Sequence, residues 1–176
     1  MSKRIALVIG HGPSRDKGAY SQDGNTNELT WNRDLAVRIV RHIAGRVPVV
    51  VVHRVIEKVQ PVKEINATGA SIAVELHLNS FNNKASGTEM FYYPTSKKGK
   101  LLAEKLQYAA VSALGLANRG AKGRSAGRGA PFLKNTKMPA VLVESFFIDN
   151  DNDLVFGNQK KDLLAKTYAD VLVAMA

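Results

Sequence analysis

Short apolar runs that alternate with helix-forming segments constrain the fold of this chain more than any other feature. The runs RIALVIG (4–10), VPVVVVHRV (47–55) and SIAVELHL (71–78) are continuous and rich in aliphatic residues, which is typical of buried strands. Two more strands are predicted, at TEMFYY (88–93) and PAVLVESFF (139–147). The alternation predicts an α/β fold in one domain, with a mostly parallel sheet covered by helices on both faces.

Helical spacing and end signals place helices between these strands. From Glu28 the apolar residues recur at helical spacing, with Thr26 or Asn27 as the N-cap and Gly45 as the stop. Further helices are predicted at 61–67, at 96–114 and, after a short helical turn beyond residue 150, from 159 onward.

The segment 118–131 is basic and rich in glycine. We expect it to be irregular and to lead into a brief strand near Phe132. No repeat, linker or second domain is evident, so residues 1–176 are expected to form one domain.

The absence of cysteine limits the chemistry that is open to the chain. It excludes disulfides, thiolate zinc sites, iron–sulfur clusters and cysteine nucleophiles. A metal ion would have to be bound by His, Asp and Glu, and the histidines are His11, His42, His53 and His77.

The net charge of +10 is concentrated in the middle of the chain, since residues 84–137 alone carry a net charge of +9. A surface of this kind attracts polyanions such as nucleic acid, anionic lipid or an anionic cell wall. The alternative is a charge that serves solubility alone.

Four residues with possible metal-binding side chains fall at predicted strand and helix ends. His11 follows the first strand, His77 ends the third, Glu144 ends the strand that begins near Ala140, and Glu28 begins the first long helix. Because ligands bind outside the carboxyl ends of strands in open α/β sheets, these side chains can converge. Two histidines and one carboxylate make a catalytic zinc set with a position left for water, and the second carboxylate can act as a base.

Structural interpretations compete with these roles. His11 between two glycines fits a turn, Glu28 can complement a helix dipole, and His77 can be a hydrogen-bonded core histidine. We interpret His42, within an amphipathic helix, and His53, at a strand end, as structural.

Glu75 precedes His77 by two residues and so shares its face of the strand. It can support a metal site from behind the ligands or act as an additional ligand, and the sequence leaves both alternatives open.

Several short motifs carry a resemblance to a known family. GHG (10–12) followed by Glu28, ELHLNS (75–80), GTEMFYY (87–93) and PAVLVESFFIDN (139–150) resemble the zinc-dependent N-acetylmuramoyl-L-alanine amidases of bacterial autolysins and phage endolysins. The resemblance runs from about residue 5 to the C-terminus. It implies a twisted, mixed sheet of about six strands flanked by helices. It also implies one zinc ion bound by His11, Glu28 and His77, with Glu144 as the catalytic glutamate.

The implied reaction is hydrolysis of the amide between the lactyl group of N-acetylmuramic acid and L-alanine in peptidoglycan. A zinc-dependent wall endopeptidase or exopeptidase is the alternative within this class, and a basic nucleic-acid-binding module is the alternative outside it. The basic stretch has few interleaved aromatic residues and no known module pattern, so we do not expect nucleic acid as a partner.

The N-terminus MSKRIALVIGHG has too short an apolar stretch for a signal peptide, and no apolar run is long enough to span a bilayer. We expect a monomeric, endolysin-like enzyme that is made in the cytoplasm and reaches the wall through a holin-like membrane lesion or lysis. A separate wall-binding domain is not expected. The basic residues 84–137 would instead hold the enzyme on the anionic wall.

Overall fold

The computed structural model of the protein describes residues 3–12, 16–54 and 61–176. Strands and helices alternate along these residues. Their bounds are β1 (Ile5–Ile9), α1 (Glu28–Ile43), β2 (Val49–His53), α2 (Val62–Ala67), β3 (Ile72–Asn79), β4 (Thr88–Tyr92), α3 (Lys97–Leu114), β5 (Asn118–Gly123), α4 (Ala130–Asn135), β6 (Ala140–Phe147), α5 (Asp151–Gln159) and α6 (Lys161–Met175). None of the helices in the described ranges is long and apolar enough to cross a membrane.

The strands form one six-stranded sheet in the order β2-β1-β3-β6-β4-β5. Strands β2, β1, β3 and β6 run parallel, whereas β4 is antiparallel to β6 and parallel to β5. The sheet is therefore mixed and mostly parallel, which confirms the predicted fold class.

Alternation of side chains along the strands gives the sheet two unequal faces. One face, which includes Val74 and Val143, packs against the long helices α1, α3 and α6 in the larger core cluster. The other face, which includes Ala73 and Leu142, is covered by the short helices α2 and α4. Short helices cover less of this second face, which leaves room for a cavity at the end of the sheet.

The predicted starts of α1 and α3 and the predicted end of α3 are confirmed by capping contacts. The Asn27 side chain accepts a hydrogen bond from the Thr30 N–H at the start of α1, and the Ser96 side chain accepts one from the Gly99 N–H at the start of α3. Helix α3 ends at Gly115, whose φ of 72° is the left-handed conformation that favours glycine.

Two predictions for the glycine-rich segment were wrong. Residues 118–123 form strand β5, and Phe132 lies in helix α4. Within the described ranges, strand β5 pairs with β4 alone. Its side chains are largely exposed, so it lacks the apolar pattern that marks a buried strand. In α4, Pro131 occupies the first turn, where a missing N–H is tolerated. The adjacent Phe132 and Leu133 are both buried, and such a pair resembles a strand in sequence.

Candidate metal centre and active site

A row of ionisable side chains lies on the face that the short helices cover. Glu75 and His77 are two residues apart on β3 and so lie on the same face of the strand. Glu144 of β6 is the register partner of His77, and Glu89 of β4 is the register partner of Glu144. Register partners point to the same side of a sheet, so the four side chains share one face near the carboxyl ends of β3 and β6.

His11, Glu28 and His77 meet at this end of the sheet, as the sequence predicted. Their potential ligand atoms all lie within 4.8 Å of one another. Glu28 Oε2 is 3.0 Å from His11 Nε2, and Glu28 Oε1 is 2.8 Å from His77 Nδ1. The backbone N–H groups of Ala19 and Leu78 donate to the same two oxygens, which fixes the orientation of the carboxylate. Two imidazoles and a carboxylate in one buried cluster fit the three-ligand set of a catalytic zinc site.

Two glycines make room for this cluster. A Cβ atom on Gly10 would lie 2.3 Å from His77 Cε1, so the imidazole packs directly on the backbone of residue 10. Gly18 has a φ of 75°, and a Cβ atom there would lie 2.4 Å from Glu28 Oε2. Both positions therefore need glycine for a close approach to a side chain of the cluster.

The backbone of His11 holds an unusual conformation that aims its ring at the cluster. Its φ of 67° is left-handed, which costs a residue other than glycine about 1–3 kcal/mol. His11 Nδ1 lies 2.6 Å from Asp16 Oδ1 and donates a hydrogen bond to it. The other ring nitrogen, Nε2, faces Glu28 Oε2.

The carboxylates and imidazoles of the cluster each favour the charged form of the other. Burial opposes the ionisation of both Glu28 and His77. Hydrogen bonds from His11 and His77 nevertheless hold the pKa of Glu28 well below its usual range. The carboxylates of Glu75 and Glu28 raise the pKa of His77. The cluster therefore attracts positive charge into a buried position.

Glu144 lies beside this cluster and has a different environment. Its Oε2 atom is buried and has no hydrogen-bond partner among the residues that the structure describes. Burial raises the pKa of its carboxyl group to about 8, although the charge of His77 opposes the shift. A desolvated carboxyl group with a perturbed pKa in a cleft is a candidate for acid–base chemistry.

A cavity of about 990 Å³ joins the cluster to Glu144. One wall is formed by residues near the cluster, and another by the segment 127–131, which includes Arg128. Asn79 and Ser80 also line the cavity. The loop that follows them is held by Asp149, which accepts hydrogen bonds from the N–H groups of Phe81 and Asn83. The volume is in the range of small-molecule and cofactor sites.

The other two histidines lie outside the cluster. His42 Nε2 is 3.3 Å from Asp162 Oδ2 on the surface, and His53 is exposed.

Sequence reasoning missed Asp16 and Arg54, which both contact the residues of the cluster or their neighbours. One signal was available for Arg54, because a basic residue near the end of a continuous apolar strand is unusual unless it has a buried partner. Asp16 gave no such signal, since it lies in a polar loop.

A buried His–Glu–His cluster at the carboxyl ends of parallel strands, with a desolvated carboxyl group in the same cavity, is typical of metal-dependent hydrolases. Comparison with known proteins identifies the family within this class of hydrolases. The chain belongs to the N-acetylmuramoyl-L-alanine amidase family, whose model matches residues 5–174.

Curated relatives and solved structures agree with this assignment. The chain is 34% identical over 174 residues to an uncharacterized cell wall amidase of Bacillus anthracis and 27% identical over 189 residues to the endolysin of Bacillus phage SPP1. These matches cover 86% and 97% of this chain, but the chain spans only 31% and 63% of the relatives. The fold is similar to the catalytic domain of the CD27L endolysin that targets Clostridia difficile, with a TM-score of 0.84, 25% identity, and coverage of 98% of this chain and 97% of that one.

Proposed function

We propose that the protein is a zinc-dependent amidase that cleaves peptidoglycan between the lactyl group of N-acetylmuramic acid and L-alanine of the stem peptide. The observation that carries the proposal is the desolvated carboxyl group of Glu144 in one cavity with the His11–Glu28–His77 cluster, in a chain of the amidase family.

One zinc ion would be held by His11 Nε2, His77 Nδ1 and the carboxylate of Glu28, because these atoms face one another. Zinc bound to such a set supplies Lewis acidity, which polarises a carbonyl group and lowers the pKa of water. The backbone N–H groups on Glu28 keep its carboxylate in place whether or not the metal is bound.

Glu144 moves the proton in this reaction. The positive charge of a bound zinc ion would favour the ionised form of Glu144. Its carboxylate then accepts a proton from the attacking water as a C–O bond forms at the lactyl carbonyl carbon. The same carboxyl group then donates that proton to the leaving nitrogen as the amide C–N bond breaks. The products are a lactyl carboxylate and a free amino group on L-alanine.

Product analysis on purified peptidoglycan tests the proposal. We expect new amino-terminal alanine, loss of activity with a chelator, and recovery when zinc is added back. His77→Ala should bind much less zinc and lose activity while Asp162→Asn, at the surface partner of His42, behaves as the parent. New amino groups elsewhere in the peptide would identify an endopeptidase and overturn the proposal, as would full activity in the chelated protein.

We also propose that residues 1–176 act as a single catalytic domain that binds the anionic wall through the exposed basic side chains of residues 84–137. Lys97, Lys98, Lys134 and Lys137 are all exposed. Release through a membrane lesion, as in an endolysin-like role, is part of the same proposal.

A further inference from the structure

His11 and His77 both contact Glu28, and a second chain of charged side chains also links them on the side away from Glu28. His11 Nδ1 faces Asp16 Oδ1 at 2.6 Å, and Asp16 Oδ2 lies 3.1 Å from Arg54 Nη1. Arg54 Nη2 is in turn 3.6 Å from Glu75 Oε1. The ring closes where Glu75 Oε2 lies 3.5 Å from His77 Nε2.

Each histidine therefore has one nitrogen on Glu28 and the other on a second carboxylate. His11 uses Nε2 toward Glu28 and Nδ1 toward Asp16, whereas His77 uses Nδ1 toward Glu28 and Nε2 toward Glu75. A negative charge behind an imidazole favours the tautomer that carries its proton on that side. With a metal ion bound, the lone pair of each ring would then be directed at that ion.

Arg54 makes this arrangement possible in a buried environment. Glu75 is fully buried, and Arg54 is 7% exposed. Two carboxylates close to the cluster would repel each other and Glu28, and a buried charge without a counter-charge is costly. The guanidinium group, set just beyond the end of β2, neutralises part of that charge and links the loop after β1 to strand β3.

We propose that Glu75 and Arg54 are positioning residues that set the orientation and tautomer of His77, with Asp16 doing the same for His11. The inference rests on the proposed zinc site but assigns residues beyond its three ligands. It also decides between the two alternatives for Glu75, because its carboxylate faces the nitrogen of His77 that points away from Glu28. Glu75 thus acts behind His77 and is not an additional ligand.

Zinc affinity, measured by competition with a chromophoric chelator, tests the proposal without reference to activity. In Glu75→Gln the carboxylate charge behind His77 is gone, and we expect zinc to bind about 10- to 100-fold more weakly.

A double variant separates positioning from stability. Arg54→Met with Glu75→Met replaces the buried pair by apolar side chains, which is often neutral or stabilising for the fold. Without metal, the unfolding temperature of the double variant should be closer to that of the parent than the unfolding temperature of Glu75→Gln is. Its zinc affinity should be as low as that of Glu75→Gln. The matched control is Asp153→Asn, which removes another buried carboxylate that accepts from the Gly87 and Phe147 N–H groups. It should lower stability and leave zinc affinity unchanged.

Several results would overturn the inference. Zinc affinity in Glu75→Gln within about twofold of the parent, with a lowered unfolding temperature, would make the Arg54–Glu75 pair purely structural. X-ray absorption that shows loss of a carboxylate ligand in Glu75→Gln would make Glu75 a ligand. Failure of the parent itself to bind zinc would instead refute the proposed function, so the two failures are distinguishable.

Discussion

At the scale of single residues, a substitution of Glu144 tests the proposed proton transfer separately from zinc binding. Glu144→Gln keeps the shape of the side chain but cannot accept a proton. We expect the variant to bind zinc and to fold like the parent, and to lose about 10²- to 10⁴-fold in turnover. Metal analysis and steady-state kinetics on the same preparation measure both effects. A variant with near-parental turnover would show that the base lies elsewhere.

Gly10 tests how closely the backbone must approach a ligand. In Gly10→Ala the new methyl group would lie 2.3 Å from His77 Cε1, so the ring must shift from its present position. We expect a loss of stability of about 1–3 kcal/mol and weaker zinc binding. Gly12→Ala is the matched control, because its nearest contact would be an ordinary 3.5 Å to the carbonyl oxygen of Arg54. Equal zinc affinities in the two variants would contradict the role of Gly10.

At the scale of elements, strands β4 and β5 are joined by an ion-pair group in addition to their backbone pairing. Glu89 on β4 contacts Lys122 and Arg119 on β5. Burial opposes its ionisation, but these two cations lower its pKa below the usual 4.5. A carboxyl group whose pKa is lower in the folded state stabilises the protein above the unfolded-state pKa, and this stability is lost as the pH falls through the folded-state pKa.

The expected consequence is a pH-dependent difference between the parent and Glu89→Gln. Urea unfolding of the metal-free proteins between about pH 6 and pH 3 should show a smaller loss of stability in the variant below the ordinary pKa of 4.5. Asp34→Asn provides a comparison at a more exposed pair with Lys161. Parallel losses in the parent and in Glu89→Gln would mean that the β4–β5 ion pairs contribute nothing to the pH dependence.

At the scale of the whole molecule, the basic side chains of residues 84–137 fall into two groups, those held in ion pairs or stacking contacts and those exposed on the surface. Arg119 and Lys122 pair with Glu89, and Arg124 stacks on the ring of Phe91 at 3.4 Å, so these three hold β5 in place. The exposed lysines at the start of α3 and around the end of α4 are therefore the better test of wall binding.

Neutralising Lys97, Lys98, Lys134 and Lys137 to glutamine should reduce lysis of whole cells at low salt. Cleavage of a small soluble muramyl peptide should stay unchanged. In the parent, lysis should fall as salt rises, because charges are screened beyond about 8 Å at physiological ionic strength. A control variant that neutralises Lys3, Arg41, Lys63 and Lys166 removes the same charge outside the segment. Equal lysis by the two variants would show that the position of the charge is irrelevant.

The sequence by itself determined the features that depend on local pattern. Continuous apolar runs and helical spacing predicted the buried strands and the long helices, and the strand-end rule brought His11, His77 and Glu144 to one edge of the sheet. The secondary structure of residues 118–135 was not predicted from these patterns. Strand β5 is held by backbone pairing with β4, and helix α4 is held by packing on the sheet, so neither has a local sequence pattern of its own.

Only the tertiary structure decided which groups stand behind the ligands. Asp16 and Arg54 are 38 residues apart in the chain, and they meet because β2 and β3 flank β1 in the sheet. A buried charge is stable only where a partner from another element reaches it, and no local pattern records that partner. The proposed roles of Glu75 and Arg54 therefore follow from contacts between distant segments, whereas the positions of the proposed ligands follow from the elements that carry them.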